Sequence, residues 1–214
     1  MPRDPRKVPL TLSGARKEAA RCRRCELWKL GTQTVFGTGP AKAQLMFVGE
    51  QPGDAEDLAG EPFVGPAGRL LREALEEAGI DPATVWLTNA VKHFKWEPRG
   101  KRRIHQKPDP AEVGACHIWL EAEIAAVKPR IIMALGATAA GALLGPAARV
   151  TRDRGKKFTS PLAPIVTLTV HPSSILRAPD AESRAEARRQ FVADLRAVAR
   201  MLRSAEPKDP MRQP

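Results

Sequence analysis

A chain of 214 residues with 43% hydrophobic content is long enough to bury one core and short for two. Its 35 Lys and Arg against 24 Asp and Glu leave a formal charge of +11, which suits a polyanionic partner, although charge alone fits a merely soluble basic protein equally well. The opening Met1-Pro2-Arg3-Asp4-Pro5-Arg6-Lys7 lacks the apolar run of a secretion leader, and the most apolar stretch, Ile131 to Gly145, falls short of the ~18 residues that cross a bilayer. A cytoplasmic protein without membrane contact is therefore expected, and in that compartment three Cys are not a disulfide framework.

In chain order, Cys22-Arg23-Arg24-Cys25 comes first, with the spacing that lets two thiolates reach one metal centre. Runs of strand length follow at Leu45 to Val48, Val85 to Leu87, Ile131 to Leu135 and Ile165 to Val170. Helical periodicity covers Gly68 to Ala78, the short Ala137 to Leu144 and Ala181 to Leu202, and a further helix, about Ala111 to Val127, precedes the third strand. The alternation predicts a three-layer α/β/α fold with a central four-stranded parallel sheet in a single domain, 14–204, with 1–13 and 205–214 as disordered ends. In such sheets ligands bind outside the carboxyl ends of the strands.

Three strand exits carry polar sequence. After the first come Gly49-Glu50-Gln51-Pro52-Gly53-Asp54-Ala55-Glu56-Asp57 and then Pro62-Phe63-Val64-Gly65-Pro66-Ala67-Gly68; after the second, Thr88-Asn89-Ala90-Val91-Lys92-His93; after the last, His171-Pro172-Ser173-Ser174. The stretch from Lys92 to Pro110 shows no periodicity and is longer than structureless loops usually run, so it reads as a functional or disordered loop; it contains Lys101-Arg102-Arg103-Ile104-His105.

Each candidate has an ordinary reading beside the functional one. Cys116 alone is a buried thiol, and with Cys22, Cys25 and His93 it is one ligand of a metal site, for which zinc serves as well as iron. Asp54 and Asp57 are by default turn and cap residues, whereas Glu50 directly follows a strand, where a catalytic group belongs. Phe63 is either a small satellite core or an aromatic that stacks on a base. Asn89 caps its own turn or offers a donor and an acceptor to a pyrimidine edge. His171, Ser173 and Ser174 combine a general acid or hydrogen-bond donor with phosphate contacts. Lys101, Arg102, Arg103 and Lys107 form a solvated charge run by default, a reading that leaves Ile104 and His105 unexplained.

Taken together, the segments beginning at Gly49, Pro62, Thr88, Lys101 and His171 resemble the iron–sulfur uracil-DNA glycosylases over nearly the whole stretch from Cys22 to Leu202, and Lys101 to His105 resembles the UdgX type among them. The resemblance implies a structural 4Fe–4S cluster held by Cys22, Cys25 and Cys116, with His93, where the family has Cys, as the fourth ligand. It implies uracil-containing DNA as the partner, with the base extruded or already unpaired, and uracil as the released product. Phe63 then stacks on uracil, Asn89 reads its edge, His171 meets the developing charge, and Glu50 stabilises an oxocarbenium-like sugar. Gln51, Asp54 and Arg103 shape the pocket, while Lys101, Arg102, Ser173 and Ser174 hold the DNA backbone. His105 is implied to attack C1′ and leave a monomeric protein bonded to the abasic site after one turnover. Two alternatives remain at this point: a glycosylase that turns over with water, and a DNA-binding protein without catalysis.

Overall fold

A computed structural model describes residues 11–204. In chain order, helix α1 (Leu12–Ala19) is followed by β1 (Leu45–Gly49), α2 (Asp54–Ala59), α3 (Pro66–Glu77), β2 (Trp86–Asn89), β3 (Trp96–Arg99) and β4 (Arg102–His105). Then come α4 (Pro110–Val127), β5 (Ile131–Leu135), α5 (Ala137–Leu144), α6 (Val150–Asp153), β6 (Phe158–Ser160), β7 (Ala163–Thr169), α7 (Pro172–Leu176) and α8 (Ala181–Arg203). The ends expected to be disordered lie outside the described residues at 1–10 and 205–214; at the amino end, α1 begins at Leu12, inside the stretch assigned to disorder, with the Thr11 hydroxyl accepting from the Gly14 N–H as its cap.

The sheet has five strands in the order β2-β1-β5-β7-β6 rather than four. The four anticipated strands are parallel, and the fifth, β6, pairs antiparallel with β7 at the edge. It escaped the sequence reading because Phe158-Thr159-Ser160 is three residues long and polar, with none of the apolar alternation that marks an inner strand. The second correction concerns the long segment after β2, which is a β-hairpin and not a structureless loop. Strands β3 and β4 pair with Trp96 opposite His105 and Arg99 opposite Arg102, and Gly100, at φ +59°, opens the two-residue turn. Pro98 and the run of charges hid that pairing.

Alternating strand residues feed two apolar layers. Met46, Val48, Ile132, Ala134, Val166 and Leu168 pack against α1, α4 and α5; Leu45, Phe47, Ile131, Met133 and Leu135 pack against α3 and α8 through Leu71, Leu75, Phe191 and Leu195. Helix α4 starts where Asp109 accepts from the Glu112 N–H and the Glu112 carboxylate accepts from the Asp109 N–H, a reciprocal cap contributing about 1 kcal/mol. The register aligns Gly49 with Asn89 and Leu135 with Thr169, so the parallel strands end together and their exit loops share one edge. Among the described residues no helix is long and apolar enough to cross a membrane.

Candidate active site

At that edge lies a cleft of about 930 Å³ into which Glu50, Phe63, Asn89, His105 and His171 all project. Residues from five separate stretches of sequence thus meet at the carboxyl ends of the strands, where ligands bind in such sheets.

Glu50 leaves β1 half-buried. Its Oε2 accepts from the Thr138 hydroxyl at the start of α5, and its Oε1 lies 3.3 Å from His105 Nε2. Burial pushes its carboxyl up, but the hydrogen bonds from His105 and Thr138, with His105 and His171 nearby, more than offset this and hold it below the usual carboxylate range. Thr138 went unnoticed in the sequence, although it stands three residues beyond the end of β5 at Leu135, at the edge where chemistry was sought.

His171 caps α7. Its Nδ1 accepts the Ser173 backbone N–H at 3.2 Å and faces the Ser173 hydroxyl at 2.8 Å. A backbone N–H can only donate, so Nδ1 is the acceptor and the neutral ring carries its proton on Nε2. Burial, aided by Arg177 and His105 and opposed by Glu50, lowers the ring pKa to about 4. Ser174 Oγ donates to the His171 carbonyl at 2.8 Å, so the described side-chain hydrogen bonds of both serines go to His171.

Phe63 is buried within the apolar layer of α3 and also lines the cleft, stacked on His171 with ring centroids 6.3 Å apart. Its backbone takes φ +59°, costly for a non-glycine residue. Arg72 Nη1 donates to its carbonyl at 2.9 Å, and Gly68 leaves room where a Cβ would stand 1.7 Å from that oxygen. Gly49 has the same role for Asn89 and Phe63, since a Cβ there would lie 2.3 Å from Asn89 Oδ1 and 2.8 Å from Phe63 Cζ.

The remaining candidates hold the hairpin. The side-chain amide of Gln51 donates to the carbonyls of Lys95 and Gln106 at 3.2 and 3.0 Å, and its oxygen accepts the Lys95 N–H at 3.1 Å. Its donors and its acceptor are thus engaged with the hairpin base rather than free toward the cleft. Arg103 likewise turns to the protein: it pairs with Asp54, donates to Asp57 Oδ2 at 2.6 Å, and lies over the rings of Phe94 and Trp96. Asp57, fully buried, also accepts the Thr32 N–H, an anchoring role that its capping assignment did not suggest. Lys101 and Arg102 are exposed at the hairpin turn, and His105, the last residue of β4, is half exposed beside Glu50.

Cys22 and Cys25 lie in the turn after α1, half-buried, and Cys116 is buried on α4. Burial pushes the Cys116 thiol up to about 12, the neighbouring Cys22 and Cys25 adding to this and Lys92 opposing it. Trp119 Nε1 donates to Cys22 Sγ at 3.1 Å and the Lys92 N–H to Cys116 Sγ at 3.2 Å. Among the described residues no three ligand side chains stand at the spacing that holds a single metal ion. The Cys22 and Cys116 sulfurs, each accepting an N–H, suit the thiolate ligands of an iron–sulfur cluster, which such hydrogen bonds stabilise. His93 Nε2 meets Thr34 Oγ1 at 3.0 Å, and burial lowers its pKa against the pull of Asp57.

Residues 36–196 match the model of the Uracil DNA glycosylase superfamily. The chain is 34% identical over 178 residues to the type-4 uracil-DNA glycosylase of Sulfurisphaera tokodaii, covering 79% of this chain and 78% of that protein. It is 40% identical over 165 residues to the type-4 uracil-DNA glycosylase of Pyrobaculum aerophilum (74% and 81% of the two chains), and 39% over 158 residues to that of Thermotoga maritima (73% and 79%). With three-quarters of its length in that match and its polar strand exits gathered on one cleft, the chain belongs to the uracil DNA glycosylase superfamily.

Proposed function

We propose that this protein excises uracil from DNA and, through His105, ends the reaction bonded to the sugar, as in the UdgX type. The carrying observation is the placement of His105 Nε2 3.3 Å from Glu50 Oε1, in the cleft that also holds Phe63, Asn89 and His171. An extruded uracil stacks on Phe63 and presents its polar edge to Asn89. As the C1′–N1 bond breaks, the electron pair goes to the base, and the Nε2–H of neutral His171 hydrogen-bonds the oxygen that gains charge. Glu50, held ionised, faces the cationic sugar. An imidazole nitrogen of His105 then bonds to C1′; held in place, it acts at a high effective concentration. Transfer of the proton on the other ring nitrogen to the Glu50 carboxylate, directly or through water, leaves a neutral N-glycosyl imidazole, a bond as hard to break as that of a nucleoside. A 4Fe–4S cluster on Cys22, Cys25 and Cys116, with His93 as fourth ligand, would supply a structural cross-link between the N-terminal segment, the β2 exit and α4.

Incubation with a uracil-containing single-stranded oligonucleotide, followed by a denaturing gel, tests this reading. A covalent band is expected, absent in His105→Ala. Free uracil in molar excess over protein without a band would indicate a water-using glycosylase instead, and neither product would reduce the protein to DNA binding.

A further inference from the structure

Lys92 and Glu123 form an ion pair with no exposure on either side chain, Nζ to Oε2 2.7 Å. All three ammonium protons are used: Nζ also donates to Thr88 Oγ1 and to the main-chain carbonyl of Asn89, each at 2.7 Å. Glu123 is equally engaged, Oε2 accepting the Thr88 hydroxyl and Oε1 the Gly37 N–H, both at 2.6 Å. Packing alone does not call for such a pair, since well-packed apolar side chains in place of both partners often serve stability as well or better. Apolar side chains cannot, however, hold a carbonyl oxygen. The one held here belongs to Asn89, at the end of β2.

Beyond Asn89 the chain turns back on itself. Ala90 and Val91 donate to the carbonyls of Gly49 and Glu50, Lys92 accepts from the Val35 N–H, and the Lys92 N–H is fixed on Cys116 Sγ. With Nζ on its carbonyl, the peptide after Asn89 cannot rotate, and the direction of the Asn89 side chain is set with it. We propose that Lys92 and Glu123 are positioning residues for base recognition, locking that peptide so that the Asn89 amide presents its donor and acceptor to the base. This rests on the uracil-reading role given to Asn89 above.

The test is Lys92→Met with Glu123→Gln, which removes both charges while leaving an amide oxygen for Gly37. In that double variant the Tm and the affinity for an oligonucleotide without uracil should stay near wild type. First-turnover uracil release should fall on the order of ten- to a hundredfold, the loss expected when a recognition group is displaced by about an ångström. Adding Asn89→Ala should then cost far less than it does in the wild-type background, because the two changes act on one contact. Unchanged release, or losses that simply add, would overturn the proposal. Should the double variant unfold, Glu123→Gln alone carries the same test, with a smaller loss of release expected; unfolding of both would leave the pair a purely structural role. If the wild type itself releases no uracil, the functional reading falls and takes this inference with it.

Discussion

The burial of His171 decides how this residue responds to pH. Withdrawn from water, with Arg177 and His105 nearby, the ring keeps a folded pKa of about 4, below the ordinary 6.5, while its Nδ1 accepts the Ser173 N–H. Between those values the unfolded chain takes up a proton that the folded chain does not, so stability contributed by His171 is lost as pH falls from about 6.5 toward 4. Ring NMR should accordingly show His171 neutral down to pH 5, and His171→Gln should lose less Tm than wild type across that window. A ring titrating near 6.5 would refute the assignment and would put a cation, not a neutral donor, in the cleft below that pH. The histidine after β7 is conspicuous in the sequence; its tautomer is not, because a backbone amide two residues ahead selects it only once α7 has formed.

At the scale of elements, the β3–β4 hairpin sets the position of His105 beside Glu50. An isolated two-stranded hairpin is marginally stable in water, so its anchors set its position. Gln51 ties its base, Arg103 fastens it to Asp54 and Asp57, and Trp96 Nε1 donates to the Leu30 carbonyl. Gln51→Ala should cost roughly 1–3 kcal/mol of stability through the lost hydrogen bonds. Its sharper effect should be on partition: covalent yield falling about tenfold while uracil release is nearly kept, since His105 is displaced and the base pocket is not. The ratio of gel-shifted protein to free uracil measures this. Equal losses of both would mean instead that the Gln51 side chain touches the base.

For the molecule as a whole, the three thiols join parts far apart in sequence: Cys22 and Cys25 after α1, and Cys116 on α4, against which α1 packs. A cluster there would tie the N-terminal segment to the core and to the turn carrying Asn89. Elemental analysis of the purified protein should find iron with inorganic sulfide, and chelation should lower the Tm. Zinc without iron would rule the cluster out. Full iron retention in His93→Ala would remove only that ligand, which is the one whose ring is turned to Thr34.

What could be read from the chain alone is what solvent enforces residue by residue. The apolar runs of β1, β2, β5 and β7 and the stripes of α3 and α8 follow from the hydrophobic effect acting on local periodicity, and they place Glu50, Asn89 and His171 at strand ends from the sequence alone. The short polar β6, the hairpin hidden by Pro98 and its charges, and the orientation of His93 had no such signature. The pairings Thr138 with Glu50, Arg103 with Asp57 and Lys92 with Glu123 link positions 88, 46 and 31 residues apart. Any of these polar side chains would be equally well solvated in an unfolded chain. Only burial by the assembled sheet and helices removes the competing water and makes one partner preferable to another, so these choices belong to the tertiary structure.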